Sequence, residues 1–242
     1  RIGQFTVRKN GSRANEQVRR TSVVRLTKLS FGSMAVIDLD AIHVVNLKHR
    51  ADRKEQISEE IQKAVDAGIF PDIKPKFVNR LSPKGALIPL SYGRVQYYQT
   101  GCEHQRIMEE LFHSKCDLSL ILEDDAEWSP EFFSSFGNFW GDVQEHAPDW
   151  LALFLGGKDR GGRTPVEGSD FVSLNHGSIQ CHAYIVNRAG LIRLYDHLFV
   201  DRAIIDWSYV NMMREDKCCY SPSGEWFANP RKSWSDNAKV YE

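Results

Sequence analysis

Three consecutive carboxylates, Glu123, Asp124 and Asp125, follow directly after an apolar run at residues 118–122. The length and composition of this run predict a buried strand of an α/β sheet. Because such sheets bind ligands beyond the carboxyl ends of their strands, the three acids lie at a candidate active site. Carboxylate oxygens suit Mg²⁺ or Mn²⁺, which usually complete their shell with water and substrate phosphates. The pattern therefore predicts a metal-bound nucleotide.

A purely structural role for the same acids stays open. Ser129 and Pro130 have the residue types of a helix cap and a first helical position. Asp124 and Asp125 could therefore be solvated turn residues that lead into this helix. Residues 118–125 by themselves are compatible both with a catalytic site and with a solvated turn that has no catalytic role.

A second strand-loop-helix unit places basic residues beside another strand end. Residues 41–46 form an apolar run that ends in Asn46, and residues 54–67 have the pattern of a helix, with Arg50 and Arg53 between them. A helix N-terminus carries partial positive charge, so arginines there receive no electrostatic stabilisation from the helix. Their presence therefore indicates a ligand. A solvated helix start is the ordinary alternative. Facing the carboxylates, these arginines would contact phosphate or base.

These segments resemble motifs of glycosyltransferase family 25, which includes lipooligosaccharide galactosyltransferases and collagen galactosyltransferase domains. The family opens with a strand followed by spaced arginines. It then shows a Gly-Cys segment followed by Ser-His at the head of a helix, of which this chain lacks the serine, and a strand ending in Glu-Asp-Asp. A Tyr-Ile-Val segment, an Asp before an aromatic residue and a Ser-Asp pair follow. The matching positions are Val44, Val45, Asn46, Leu47, Arg50, Arg53, Gly101, Cys102, His104, residues 120–125, residues 184–186, Asp206, Trp207, Ser235 and Asp236.

The resemblance spans residues 42–236 and implies both a fold and a reaction. The implied fold is α/β of the GT-A type, a Rossmann-like nucleotide-sugar-binding fold with one domain and a mostly parallel central sheet. The implied reaction is transfer of a hexose, galactose or glucose, from a UDP-sugar with inversion at the anomeric carbon. Mn²⁺ or Mg²⁺ is the implied cofactor, and the acceptor is a glycan, a lipooligosaccharide or a glycoprotein.

Within this interpretation the side chains divide between the donor and its metal. Asp125 and Glu123 are assigned to the metal ion, with Asp125 the direct ligand and Glu123 acting also through ribose or water. The donor contacts are assigned to Asn46, Leu47, Arg50, Arg53, Glu123 and Asp124.

The general base, which takes the proton from the acceptor hydroxyl, is assigned to Asp206. Its neighbour Trp207 could shield the carboxylate from water and so raise its pKa. Asp236 competes for the role of base, and the two acids could exchange the tasks of base and metal or donor contact. The ordinary alternatives are a helix cap at Asp206 and a terminal tail at Asp236.

Length and composition predict one substantial domain, because 242 residues with 42% hydrophobic side chains can bury a core. Residues 1–34 hold eight Lys or Arg and one acid; with a net charge of -1 for the chain, the remainder carries about −8. This acidic remainder argues against nucleic acid as a partner. We expect residues 1–34 to be a flexible basic extension able to touch an anionic membrane, residues 35–242 to be the transferase domain, and the location to be cytoplasmic.

Three weaker patterns complete the sequence. Five cysteines without CxxC spacing indicate a reducing compartment rather than a zinc site. His182, in a predicted strand, is placed where it could contact metal or donor. The glycine-rich segment 156–163 predicts a mobile lid over a sugar diphosphate, with an ordinary surface connection as the alternative.

Two other functions fit the same fold class. A metal-dependent phosphohydrolase also places acids at strand ends, but the sequence shows no second acidic cluster for a two-metal site. A carbohydrate-binding protein without catalysis would use some of the six tryptophans to stack on sugars. Release of UDP from a UDP-sugar would separate both from a transferase.

Overall fold

Strands and helices alternate along most of the chain in the computed structural model, which describes residues 37–46, 49–79, 95–201 and 205–231. The helices of these ranges are α1 (Ala51–Asp66), α2 (Val95–Ser114), α3 (Pro130–His146), α4 (Arg188–Asp201) and α5 (Ile205–Asp216). The strands are β1 (Ala41–Asn46), β2 (Lys76–Asn79), β3 (Leu118–Glu123), β4 (Ala126–Trp128), β5 (Ala152–Asp159), β6 (Arg163–Pro165), β7 (Val172–Asn175), β8 (Ser178–Asn187), β9 (Cys219–Pro222) and β10 (Ala228–Pro230).

The described strands form one sheet whose main row has the order β2-β1-β3-β8-β5-β9-β7-β6. The pairings of this row show that β7 and β8 run opposite to the other strands in it. Short β10 pairs antiparallel with β4 and parallel with β5. The predicted α/β class with a mostly parallel central sheet is confirmed.

Alternating side chains of the strands build a core on each face of the sheet. In β3, Leu120 and Leu122 belong to one buried cluster with Phe136 of α3, while Ile121 belongs to a second cluster with Met212 of α5. A strand buried on both faces has no polar side, and this explains why residues 118–122 are almost uniformly apolar. Helices therefore cover both faces of the sheet.

The strand directions bring distant parts of the sequence to one edge. Parallel β1 and β3 end together, with Val45 paired to Glu123. Because β8 is antiparallel to β3, its beginning lies at the edge where β3 ends, and Leu122 pairs with Ala183. The edge therefore collects the ends of β1 and β3 and the start of β8.

The turn after β3 leads into short β4 before the next helix begins. The predicted cap is confirmed: the Ser129 hydroxyl accepts a hydrogen bond from the Phe132 N–H at 3.3 Å, and Pro130 starts α3. The turn itself is less exposed than the solvated alternative requires, because Asp124 is only 8% exposed. It is held by contacts, and Asp125 accepts a backbone hydrogen bond from Arg231 at 2.7 Å.

Helical glycines provide a first test of the packing. A Cβ at Gly190 in α4 would lie 1.9 Å from the carbonyl oxygen of Leu151, whereas a Cβ at Gly137 in α3 would meet no atom within 4 Å. We expect Gly190→Ala to destabilise the fold, although alanine is the better helix former. Gly137→Ala should instead stabilise it by about 0.5–1 kcal/mol. Urea unfolding of both variants measures the contrast, and a stabilising Gly190→Ala would contradict this packing.

Some sequence predictions fall outside the described residues. Residues 1–36 lie there, so the basic extension and its boundary with the transferase domain stay predictions. None of the helices in the described ranges has the length and hydropathy that a bilayer span requires.

Candidate active site

A buried hydrogen-bonded network joins the ends of β1 and β3. Asn46 donates from Nδ2 to Oδ2 of Asp124 at 2.8 Å, and Arg53 donates from Nη1 to Oδ1 of Asp124 at 3.0 Å. Asn46 is 4% exposed and Arg53 is 6% exposed. Because each oxygen of Asp124 accepts one of these hydrogen bonds, this carboxylate is directed into the protein. It anchors the turn that carries its neighbour.

The anchor makes a prediction about stability. Asp124→Ala removes the carboxylate to which the buried guanidinium of Arg53 donates at 3.0 Å, so we expect a loss of about 3 kcal/mol in the free energy of unfolding. Asp52→Ala is a matched control, because Asp52 pairs with Arg50 at 2.7 Å but its side chain is 56% exposed. This control should change stability far less. Urea unfolding compares the two, and equal losses would contradict the anchoring role.

In Asp125, one carboxylate oxygen has no hydrogen-bond donor among the described residues. Its Oδ1 is buried and has no hydrogen-bond partner among the described residues, while Oδ2 lies 4.0 Å from Nη1 of Arg53. Burial raises the pKa of Asp125, and the charge of Asp124 adds to this, whereas His182 and Arg53 oppose it. A buried carboxylate oxygen without a donor is suited to a cation.

Glu123 has a different environment. It is the last residue of β3, and its charge acts on Tyr184 and Tyr209, whose pKa values are raised mainly by burial and further by this carboxylate. No group of three or more His, Cys, Asp or Glu side chains able to hold a metal occurs in the part of the chain that the structure describes. A metal at Asp125 would therefore depend on further ligands from substrate, water or residues beyond that part.

Asp206 lies in the first turn of α5, at the start of β8. Its Oδ1 accepts a hydrogen bond from the backbone N–H of Gln180 at 2.8 Å, and Gln180 has a left-handed φ of 56°. Burial raises the pKa of Asp206, while the N–H groups of Gln180 and Cys181 and the charge of His182 lower it. A raised pKa of Asp206 is the direction that the sequence analysis predicted. The adjoining Trp207 is 53% exposed.

His182 connects the surroundings of the two acids. It is 3% exposed, its Nε2 lies 3.1 Å from the carbonyl oxygen of Ala228, and it lowers the pKa of both Asp125 and Asp206. Gly156 of β5 makes room for the ring, because a Cβ there would lie 2.6 Å from Nε2. Strand β8 thus contacts Asp206 through Gln180, and through His182 it contacts β10, which pairs with β4 directly after Asp125.

The motif histidine of α2 lies in a buried polar cluster. Nδ1 of His104 is 2.9 Å from the Tyr184 hydroxyl and 3.3 Å from the Tyr209 hydroxyl. His104 and Tyr184 come from two motifs of the resemblance, so the fold brings these motifs into contact. Tyr209 and Gln180 were not singled out in the sequence, since neither carries a local signal for the contact it makes.

The glycine-rich segment is not the free loop that the sequence predicted. Gly156 and Gly157 belong to β5, which pairs with β8, and Arg163 begins β6. The guanidinium of Arg163 lies 4.6 Å from the ring of Trp226 and donates a hydrogen bond to the carbonyl oxygen of Pro222. The lid hypothesis is therefore wrong for the ends of this segment, which are paired and anchored.

Of the remaining residues that the sequence analysis assigned to the site, Arg50 is described by the structure, whereas Leu47 and Asp236 are not. Arg50, the residue before α1, donates from Nε and Nη2 to Asp52 at 2.9 Å and 2.7 Å. Leu47 and Asp236 lie outside the described residues, so the donor contact of one and the role of the other stay predictions.

Comparison with known proteins gives distant relatives. No family model matches the chain. Human procollagen galactosyltransferase 2 is 24% identical over 130 residues, which are 49% of this chain and 21% of that protein. Procollagen galactosyltransferase 1-B of Xenopus laevis is 25% identical over 153 residues, 59% of this chain and 24% of that protein. The chain thus matches about a quarter or less of the length of these curated relatives.

Similar solved structures are more distant still. A197 from STIV has a TM-score of 0.45 and 11% identity, with 75% of this chain and 80% of that chain covered. A glycosyltransferase involved in the glycosylation of the major capsid of PBCV-1 has a TM-score of 0.38 and 11% identity, with 73% and 75% covered. Mouse xyloside xylosyltransferase 1 has a TM-score of 0.37 and 13% identity, with 74% and 83% covered.

Proposed function

We propose that the chain is an inverting glycosyltransferase of the GT-A type that moves a hexose, galactose or glucose, from a UDP-sugar to a glycan or glycoconjugate. The observation that carries the proposal is the buried Oδ1 of Asp125 at the carboxyl edge of the sheet, which has no hydrogen-bond partner among the described residues. The likeness to procollagen galactosyltransferases supports it, over the stretch of 130–153 residues that these proteins share with the chain.

The residues at this edge fit a divalent ion. Asp125 would hold it with Oδ1, and Glu123 would contribute through water or ribose. When bound, Mn²⁺ or Mg²⁺ would neutralise charge on the departing diphosphate. Asp124 has its oxygens directed to Asn46 and Arg53, so its role is to fix the turn on which Asp125 sits.

The two arginines would have different roles, with Arg53 stabilising the site and Arg50 contacting the donor. Arg53 is buried against Asp124 and holds the site together. Arg50 is closer to solvent, since it pairs with the exposed Asp52, and a phosphate could replace that carboxylate as its acceptor. Arg50 is therefore the proposed direct contact to the donor.

Asp206 would serve as the base. Inversion needs the acceptor hydroxyl to attack opposite the leaving group, so the proton acceptor and the diphosphate must occupy different places. Asp206 lies in α5, and its carboxylate accepts a hydrogen bond from the Gln180 N–H of β8. Asp125, in contrast, follows β3. The exposed ring of Trp207, the next residue of α5, would give an acceptor sugar an apolar surface.

The test is UDP release from a panel of UDP-sugars, measured with Mn²⁺ and with EDTA. Metal-dependent release that favours one sugar would support the transferase and name its donor. Addition of glycan, lipooligosaccharide and glycoprotein acceptors would then identify the acceptor class by faster release. Absence of release together with absence of UDP binding in calorimetry would refute the proposal. Hydrolysis of simple phosphate esters instead would point to a phosphohydrolase.

A further inference from the structure

We infer that Gln180 is a positioning residue for the base, because its left-handed backbone directs its N–H group onto the carboxylate of Asp206. The inference rests on the proposed function, since it concerns the carboxylate that would take the proton of the acceptor. It assigns the role to a backbone group of β8, which no side-chain motif of the sequence could reveal.

The backbone of Gln180 has a conformation that its place in the fold does not require. Among the described residues other than glycine, the left-handed ones are Lys115, Gln180 and Lys217, with φ values of 61°, 56° and 53°. Lys115 directly follows α2 and Lys217 directly follows α5, where a left-handed residue commonly ends a helix. Gln180 lies inside strand β8, where extended backbone is expected. Its conformation therefore has another cause than a helix end.

A bulge in the pairing of β8 with β5 includes this left-handed residue. Lys158 pairs with Ile179, whereas Gly156 pairs with Ala183. Between these two pairs β5 has one residue, and β8 has three, which are residues 180–182. Bulges leave backbone groups without a partner in the ladder, and they are frequent next to active sites. The bulge thus makes an N–H group of β8 available for a contact outside the sheet.

This N–H group holds the carboxylate of Asp206. The N–H of Gln180 donates to Oδ1 at 2.8 Å, and the next N–H along the strand, that of Cys181, also lowers the pKa of this carboxyl by hydrogen bonding. Successive N–H groups in such a turned backbone form a concavity that binds anions. Here the ionised carboxylate is that anion. Because a base must point at the proton that it takes, holding the carboxylate fixes the direction of attack.

The groups around Asp206 give the contact a measurable consequence. Burial raises the pKa of Asp206, while the N–H groups of Gln180 and Cys181 and the charge of His182 lower it. The Cys181 thiol is neutral, since burial and the charge of Asp206 raise its pKa. Loss of the Gln180 contact would leave the effect of burial less opposed and raise the pKa of Asp206. The base would then be protonated at higher pH, so the acid limb of activity would move upward.

The experiment replaces Gln180 by valine and by glycine. Valine rarely adopts a left-handed backbone, whereas glycine adopts it readily and keeps the N–H. We expect Gln180→Val to transfer sugar about 10²-fold more slowly than Gln180→Gly, with equal UDP binding in calorimetry. The acid limb of kcat/KM should lie at higher pH in Gln180→Val, and ¹³C NMR titration of the Asp206 carboxyl should show the same shift. Gln180→Thr, also β-branched but more polar at this exposed position, replaces valine if that variant does not fold.

Lys217→Val is the matched control. Lys217 is exposed, has nearly the same φ as Gln180, and lies at the opposite end of α5 from Asp206. The substitution strains the backbone in the same way but away from the base. It should lower stability in urea unfolding and leave both the acid limb and the NMR titration of Asp206 at wild-type values.

The outcomes separate the inference from the proposed function. If the wild-type chain transfers sugar, equal rates and equal acid limbs in Gln180→Val and Gln180→Gly overturn the role of Gln180 and keep the transferase. An equal upward shift in Lys217→Val does the same, because backbone strain alone would then explain it. A wild-type chain that does not bind UDP and releases none from any UDP-sugar overturns both.

Discussion

Asp125→Ala should lower metal-dependent UDP release by about 10³-fold or more, because it removes the carboxylate that holds the ion beside the departing diphosphate. The wild-type and variant chains would be compared in single-turnover assays with a saturating UDP-sugar and Mn²⁺. The fold should survive the change, since the buried Oδ1 of Asp125 satisfies no donor among the described residues.

Glu127→Ala provides the control for this prediction. Glu127 lies two residues further on in β4, its side chain is 50% exposed, and its carboxylate is 3.9 Å from Arg231. Its removal changes the net charge by the same amount as Asp125→Ala, so an effect of charge alone would appear in both variants. Wild-type release by Asp125→Ala, or equal losses in the two variants, would show that Asp125 does not hold the ion.

Asp206→Asn should slow sugar transfer by about 10²–10⁴-fold while UDP and Mn²⁺ still bind, because the amide cannot take the acceptor's proton. The amide oxygen can still accept the hydrogen bond from the Gln180 N–H, so the local structure should persist. Asp196→Asn is the matched change on α4, where the side chain is 56% exposed. Transfer at the wild-type rate by Asp206→Asn would leave Asp236 as the base.

The same residue predicts a pH dependence. A base must be ionised, and burial raises the pKa of Asp206 above the ordinary 3.8. Activity should therefore be present above that raised pKa and fall as the pH decreases through it. The acid limb of kcat/KM should lie above pH 3.8 in the wild-type chain and disappear in Asp206→Asn. A limb at or below the ordinary value would contradict this assignment.

Local features were readable from the sequence. The apolar run at residues 118–122 is β3, which extends one residue further to Glu123, and the Ser129 cap starts α3 as predicted. Both depend on neighbouring residues alone, through burial on two faces and through hydrogen bonds within one turn. The α/β class followed from the same kind of pattern.

Long-range contacts were not readable. The sequence placed Asp124 among the donor contacts, but whether it faces a ligand depends on Asn46 and Arg53, which are more than 70 positions away and meet it only when β1 and β3 pair. Gly156 gave a similar ambiguity. Glycine is common in loops, yet Gly156 lies in strand β5. A glycine is required there because His182 occupies the space that a side chain would need.

The reversed direction of β8 has a consequence for how such a site can be altered. Within three consecutive residues, the backbone N–H of Gln180 donates to Asp206, and Nε2 of His182 lies 3.1 Å from the Ala228 carbonyl oxygen. An insertion or deletion that shifts β8 by one residue would turn both contacts to the wrong face at once. Laboratory evolution of acceptor specificity should therefore tolerate single substitutions around Trp207 but reject length changes in the turn between β7 and β8.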